Sequence, residues 1–211
     1  MKPVILRYVL GPLENNSYII ADPETGEAAV IDPSFDSEHI LEDAHQRNLR
    51  ICFILLTHAH FDHMAGAAWV ASQFSPPLAI ALHPSDLVLY AQGGGAAQFG
   101  LPFEPGPNPR MLLSEGQIIK IGAVELEVHH APGHTPGHVV FVCSQASVVF
   151  CGDLIFAGSV GRTDLSGGSH ELLLDSIQDH IFTLPPETRL LSGHGAETTV
   201  DIEQATNPYI S

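Results

Sequence analysis

The 211 residues include 8 Lys and Arg against 24 Asp and Glu, which gives a formal net charge of −16. This balance excludes an extended basic surface, so we expect no nucleic-acid partner. A content of 45% hydrophobic and 15% charged residues fits one globular domain over residues 1–211 and excludes wholesale disorder. No apolar run is long enough for a membrane span and no signal peptide is evident, so we expect a cytoplasmic protein without a membrane partner.

Short apolar runs alternate with helical patterns along the chain. Residues 17–22 and 27–32 predict a hairpin, and Ser37 can cap a predicted helix that runs to about residue 48. A buried helix is predicted over 64–74, before two prolines, and another helix over 170–182. The remaining predicted strands are at 51–56, 78–82, 118–121, 124–130, 139–142, 148–151 and 189–191. Two sheets packed together, with helices outside, would accommodate this order.

Residues 91–110 differ in composition from the predicted strands and helices, because they are rich in Gly and Pro. A long irregular loop in a compact domain is often functional, for example as a lid over a pocket. A surface connection without a role is an equally good interpretation of this composition.

The densest group of potential metal ligands follows the strand predicted at 51–56. Residues 57–63 read Thr-His-Ala-His-Phe-Asp-His. Neutral imidazole suits zinc and similar ions, and carboxylate adds a harder, negative ligand. His58 and His60 point the same way in an extended backbone, whereas Asp62 and His63 follow a bend and can face a second ion. Burying these groups without a partner would be costly, so the run predicts metal binding rather than hydrogen-bonded core histidines.

Three later segments supply further candidate ligands, and each follows a predicted strand. His134 lies in a tight turn made by the glycines and prolines of residues 131–138. Asp153 follows the strand at 148–151, and its two carboxylate oxygens can bridge two cations. His194 lies between Gly193 and Gly195, which allow the backbone to approach closely.

This His-x-His-x-Asp-His run, followed by a distant His, an Asp and a last His, resembles the metallo-β-lactamase superfamily over roughly residues 4–208. The resemblance implies an α+β fold, a four-layer αββα sandwich with the metals in a cleft at one edge of the sheets. It also implies two divalent metal ions, Zn first and Fe or Mn as alternatives. By that resemblance the first metal is bound by His58, His60 and His134, the second by Asp62, His63 and His194, and Asp153 bridges them.

A water shared by two cations is acidic enough to supply hydroxide at neutral pH, so no Ser or Cys nucleophile is required. Asp62 is the catalytic candidate, because it can bind a metal and also orient that water. Residues 152–164, with Gly-Arg-Thr-Asp at 161–164, resemble the hydroxyacylglutathione hydrolase (glyoxalase II) branch and its persulfide dioxygenase relatives. This resemblance implies hydrolysis of S-lactoylglutathione or a related small thioester. Arg162 can hold a substrate carboxylate or pair with Asp164, and both roles stay open.

Longer glyoxalases carry a C-terminal helical domain whose basic residues bind glutathione, whereas residues 196–211 contain no Lys or Arg. We therefore expect a short, single-domain glyoxalase II-like thioesterase, with glutathione recognition and oligomeric state left open. The alternative is a mononuclear-iron persulfide dioxygenase of the same fold, which uses two His and one Asp. His58, His134 and Asp153 would serve there.

Supporting residues are also predicted around the centre. A metal-bound imidazole needs an acceptor for its outer N–H, and Asp32 at a strand end can serve. A strand-end turn is an equally good interpretation of Asp32. His138 is expected to pack behind the site, and neither it nor His129 or His130 is expected to be a ligand of this centre. No Cys-x-x-Cys spacing occurs, so we expect buried free thiols at Cys52, Cys143 and Cys151.

Overall fold

Two six-stranded sheets lie face to face in the computed structural model, which describes residues 2–101 and 103–210. In the first sheet, β1 to β3 are antiparallel and β3 to β6 are parallel. Its strands, in spatial order, are Val4–Leu10 (β1), Asn15–Ala21 (β2), Glu27–Ile31 (β3), Arg50–Leu55 (β4), Ile80–Leu82 (β5) and Met111–Leu112 (β6).

The second sheet has the spatial order β14-β13-β10-β9-β8-β7, and a small hairpin, β11-β12, lies apart from it. The strands are Ile118–Ile121 (β7), Val124–His130 (β8), Val139–Cys143 (β9), Val148–Gly152 (β10), Ile155–Phe156 (β11), Ser159–Val160 (β12), Arg189–Ser192 (β13) and Thr198–Thr199 (β14). Because β9 is antiparallel to both β8 and β10, and β10 is parallel to β13, the strands β8, β10 and β13 all end at one edge.

The helices cover the outer faces of the two sheets. Ile40 and Ala44 pack on the first sheet, and Leu173 and Ile177 pack on the second. The helices are Glu38–Gln46 (α1), Phe61–Met64 (α2), Ala67–Ser72 (α3), Leu87–Ala91 (α4), His170–His180 (α5) and Val200–Thr206 (α6), with 3-10 turns at Pro84–Asp86 and Ala96–Phe99. Among the residues described, no helix combines the length and apolarity needed to span a membrane.

The central core lies between the sheets and follows the period of two in their strands. Tyr18 and Ile20 of β2 face Phe141 and Phe150 of the second sheet, and all four side chains are buried. The Tyr18 and Phe150 rings meet edge to face, with centroids 5.3 Å apart. Fully burying a large apolar side chain contributes about 1.5–3 kcal/mol. The expected four-layer αββα arrangement is therefore confirmed.

The predicted hairpin is confirmed by β2 and β3, but the single helix over 64–74 is wrong. Two short helices, α2 and α3, occupy this region, and they are separated at Gly66. A side chain at Gly66 would collide with the Ser34 carbonyl and with Ser37. The Ser37 hydroxyl is also not a helix cap, because it donates to the Ser34 carbonyl at 2.6 Å. Close packing against residues 34–37 therefore divides the helix.

The cysteines follow the expectation in part. All three are free, and Cys143 and Cys151 are buried, whereas Cys52 is partly exposed. Burial raises the pKa of the Cys143 thiol above its ordinary value. Such a thiol stays protonated at neutral pH and behaves as a small apolar side chain.

Candidate metal centre

All of the predicted ligands lie at one edge of the sandwich, because each follows the carboxyl end of a strand. Loops that are held by a rigid scaffold in this way commonly carry function. The loop after β4 and helix α2 carry four of these candidate ligands, and the loops after β8, β10 and β13 carry one each. These residues are His58, His60, Asp62, His63, His134, Asp153 and His194.

Three imidazoles form the first cluster. One ring nitrogen each of His58, His60 and His134 lies within 4.8 Å of the others, and His60 Nδ1 is 2.8 Å from His134 Nε2. All three side chains are buried. Burial lowers the pKa of His60 to about 3 and that of His58 well below its ordinary value, and neighbouring imidazoles add to both shifts. The rings are therefore neutral at physiological pH, which is the form that binds a metal.

The second cluster combines one carboxylate with two imidazoles. Asp62 Oδ2 lies 3.2 Å from His194 Nε2 and 3.7 Å from His63 Nε2. Burial opposes charge on Asp62, but His63 and His194 hold the pKa of its carboxyl below the ordinary value. Asp62 is therefore an anionic group within this cluster.

Asp153 lies between the two clusters. Its Oδ1 is 3.2 Å from His63 Nε2, and its Oδ2 is 3.6 Å from His134 Nε2 and 3.8 Å from His194 Nε2. Burial would raise the pKa of this carboxyl, but His63 and His134 bring it well below the ordinary value. The Asp153 backbone N–H donates to His138 Nε2 at 3.1 Å. His138 is buried and supports Asp153 from behind, as the sequence predicted.

Backbone carbonyls hold two of the imidazoles by their outer nitrogens. His134 Nδ1–H donates to the Arg162 carbonyl at 2.8 Å, and His194 Nδ1–H donates to the Leu13 carbonyl at 3.1 Å. Since a carbonyl can only accept, the proton of each ring is on Nδ1. Each Nε2 therefore faces the centre, and that of His194 lies 3.2 Å from Asp62 Oδ2.

Asp32 fixes two further imidazoles. It accepts from His63 Nδ1–H at 2.9 Å and from the Thr57 hydroxyl at 2.6 Å. The Thr57 oxygen is then free to accept from His58 Nδ1–H, at 3.0 Å. Of the two interpretations of Asp32, the structure therefore shows the contact with an imidazole. Thr57 was missed, although it directly precedes His58 in the sequence.

Among the described residues, three buried atoms of the centre make no hydrogen bond of acceptable geometry: His58 Nε2, His63 Nε2 and Asp153 Oδ1, of which the last two lie 3.2 Å apart. Leaving a buried polar atom unpaired costs about 1–3 kcal/mol. Lone pairs of nitrogen and oxygen that converge in this way are the ligands that zinc, iron and manganese take. The residues present thus fit two divalent ions, one at each cluster.

Asp86 joins the two loops that carry the first cluster, and sequence reasoning did not find it. Its carboxylate accepts from the Ala59 N–H at 3.0 Å, the Thr135 hydroxyl at 2.7 Å and the Gly137 N–H at 2.6 Å. Asp86 is fully buried, and burial raises the pKa of its carboxyl. No motif surrounds Asp86 in the sequence, so no local signal marked it.

A cleft of about 260 Å³ opens over the two clusters. Residues of the 91–110 loop line it, and the Gly94 carbonyl accepts from the Phe61 N–H at 3.1 Å. This loop is therefore part of the cleft wall rather than a distant surface connection. The apolar lining consists of Leu13, Phe61, Phe99 and Leu165.

Arg162 also lines the cleft, but its positive charge is paired with a carboxylate. Its Nε and Nη2 donate to the two carboxylate oxygens of Asp164 at 2.7 and 2.8 Å. Of the two roles left open by the sequence, the structure shows the pairing that braces the loop. The same residue holds His134 through its backbone carbonyl.

Comparisons with known proteins agree with this geometry. A model described as the metallo-beta-lactamase superfamily matches residues 10–194. Hydroxyacylglutathione hydrolase of Haemophilus influenzae is 33% identical over 199 residues, which is 94% of this chain and 93% of that protein. Mitochondrial persulfide dioxygenase of Mus musculus is 30% identical over 217 residues, which is 99% of this chain and 77% of that protein.

Solved structures are similar over nearly the whole chain. The BLEG-1 B3 metallo-beta-lactamase has a TM-score of 0.92 and 36% identity, and the match covers 99% of this chain and 100% of that one. TTHA1623, crystallised in a di-iron-bound form, has a TM-score of 0.87 and 40% identity, with 97% of this chain and 99% of that one covered. The chain therefore belongs to the metallo-β-lactamase superfamily, whose members are generally metal-dependent hydrolases.

Proposed function

We propose that this protein is a binuclear metallohydrolase that cleaves a small thioester, with S-lactoylglutathione as the first candidate substrate. The observation that supports the proposal is the position of Asp153 between the two candidate ligand clusters. When bound, two divalent ions would supply an acidic water and a Lewis acid for the substrate carbonyl. The first ion would be held by His58, His60 and His134, the second by Asp62, His63 and His194, and Asp153 would contribute to both.

A side chain of the protein would orient the attacking water. Asp62 lines the cleft and is 7% exposed, so one carboxylate face is accessible to a water in the cleft. An anionic carboxylate accepts a hydrogen bond from water and so aims an oxygen lone pair at the substrate. Asp62 is the catalytic residue on this proposal, and it acts through Oδ1 or Oδ2 on the attacking water.

The size and lining of the cleft favour a substrate with a small acyl group. Its volume of about 260 Å³ and its apolar walls suit the acyl end of a thioester, while the thiol portion would extend towards the opening. Because Arg162 is paired with Asp164, substrate binding on this proposal does not depend on a free arginine. The similarity to a hydroxyacylglutathione hydrolase supports a glutathione-derived thiol portion.

A mononuclear-iron persulfide dioxygenase is the second candidate, and the Mus musculus relative supports it. His58, His134 and Asp153 would hold the iron. The second cluster favours the hydrolase, because His63 and His194 are each held by an outer hydrogen bond that leaves Nε2 facing inward. Such support from outside the ligand sphere is typical of working metal ligands.

The test is hydrolysis of S-lactoylglutathione by the purified protein, with the metal content measured on the same sample. We expect turnover with about two ions per chain, and Asp153→Ala should lose bound metal and at least about a hundredfold in kcat/KM. Asp175→Ala is the matched control, because Asp175 is an exposed carboxylate on α5 away from the centre.

Full activity in Asp153→Ala would overturn the proposal. Absence of thioester turnover in a protein that holds one iron and consumes oxygen with glutathione persulfide would establish the dioxygenase instead.

A further inference from the structure

A second group of imidazole and carboxylate side chains lies outside the cleft. Glu115 is in the turn before β7, His129 is on β8, and His180 is the last residue of α5. One potential ligand atom from each lies within 4.8 Å of the others. Strand and helix thus bring together residues that are far apart in the chain.

The contacts within this group resemble those in the main centre. Glu115 Oε1 is 2.9 Å from His129 Nδ1, and the His129 and His180 rings are 5.2 Å apart between centroids. In the main centre the closest pair, His60 Nδ1 and His134 Nε2, is 2.8 Å apart. Zinc bonds of about 2.0–2.1 Å place tetrahedral ligand atoms about 3.3 Å apart, so a small rotation admits an ion.

Glu115 is fixed although it is exposed. Its Oε2 accepts from the His130 N–H at 2.6 Å, which leaves Oε1 facing His129. On the other side of the His129 ring, Glu127 Oε1 lies 3.8 Å from Nε2. Two carboxylates beside two imidazoles give the group a negative potential that attracts a cation.

We propose that Glu115, His129 and His180 form a surface site for one divalent transition-metal ion of the zinc type, with water completing the coordination. Two imidazoles and one carboxylate select such ions over magnesium or calcium, which prefer oxygen ligands. This site is separate from the main centre and does not depend on the thioesterase activity.

Metal binding here would link α5 to β8. The α5 segment in turn supports the loop of His134, because the Ser169 N–H donates to the Gly133 carbonyl and the Ser176 hydroxyl donates to the Pro132 carbonyl, both at 2.8 Å. An ion that binds only the folded chain stabilises it. The bound ion would therefore cross-link α5 and β8 and so stabilise the loop that carries His134.

The experiment is calorimetric titration of the full chain with zinc chloride, after the main centre has been loaded. The variants are His180→Gln and Glu115→Gln, and His170→Gln is the matched control because His170 is an exposed histidine on the same helix. We expect wild type and His170→Gln to bind one ion more per chain than His180→Gln. In Glu115→Gln the affinity for this ion should fall at least about tenfold.

A thermal scan provides the second readout. Added zinc should raise the Tm of the loaded wild type and of His170→Gln, and should raise that of His180→Gln less. Equal stoichiometry in wild type and His180→Gln would overturn the proposal whether or not the protein hydrolyses thioesters. Circular dichroism on each variant confirms that the comparison is made between folded proteins.

Discussion

Asp32 Oδ2 lies 2.9 Å from His63 Nδ1, so Nδ1–H donates to Asp32 and Nε2 faces the candidate metal centre. The same carboxylate accepts from the Thr57 N–H through Oδ1 at 2.7 Å. Asp32 has a φ of 48°, in the left-handed region that Asp and Asn tolerate better than most residues. One residue thus couples an uncommon backbone conformation to the orientation of a predicted ligand.

Asp32→Asn should weaken binding of the second metal ion by about ten- to a hundredfold. The asparagine keeps the backbone conformation and an acceptor for the Thr57 N–H, but its amide NH₂ would face His63 Nδ1. The ring would then have to move its proton to Nε2, and the inward lone pair would be lost. Competition with a chromophoric chelator measures the change.

Asp36→Asn is the matched control for this substitution, because Asp36 also has a positive φ, of 58°, and is exposed. It should bind metal as wild type does. Equal affinity in Asp32→Asn and Asp36→Asn would show that the Asp32 contact does not orient a ligand.

Asp86→Ala should destabilise the metal-free protein by at least about 2 kcal/mol, because the buried N–H groups of Ala59 and Gly137 would each lose their acceptor. Urea unfolding measures the difference. Ser85→Ala changes the adjacent exposed residue and should leave the free energy of unfolding within about 0.5 kcal/mol of wild type. A similar midpoint for the two variants would contradict the linking role of Asp86.

Phe99→Ala should raise KM for the thioester about three- to tenfold while kcat and metal content stay unchanged. Phe99 lines the cleft and is 50% exposed, so its ring contributes apolar contact to a bound substrate. Leu101→Ala, in the same loop but outside the cleft lining, is the control. A parallel loss of metal in Phe99→Ala would assign the loop a scaffold role instead.

Acid should destabilise the metal-free protein in part through His60. Burial lowers the pKa of His60 to about 3, below the value of about 6.5 in an unfolded chain. Between about pH 6.5 and 3 the His60 imidazole is therefore protonated in the unfolded chain but not in the folded protein. The free energy of unfolding thus decreases as the pH falls from about 6.5 towards 3.

His60→Gln removes this contribution, and its free energy of unfolding should fall less steeply with acid than that of wild type. The difference in slope is at most about 1.4 kcal/mol per pH unit, which corresponds to one proton. His45→Gln alters an exposed histidine and should retain the wild-type slope. Parallel curves for wild type and His60→Gln between pH 6.5 and 4 would contradict the buried, neutral state of His60.

Local patterns in the sequence determined most of the fold and predicted the residues of the candidate site. Short apolar runs bounded by turn residues predicted the hairpin of β2 and β3 and the strand β8, because strand-forming residues and turn residues are read locally. The ligand types and spacing at residues 57–63, with His134, Asp153 and His194 after later strands, indicated the metal centre because the side-chain chemistry is already present in the chain.

Only the tertiary structure decided how those side chains are held. Asp86 meets Ala59, Thr135 and Gly137 across 27, 49 and 51 residues, and such partners have no local signature. The break between α2 and α3 likewise depends on the contact of Gly66 with residues 34–37. Distant segments supply the hydrogen-bond acceptors and the steric neighbours once the sheets have packed. The sequence by itself shows only which side chains are present, not which of them come into contact.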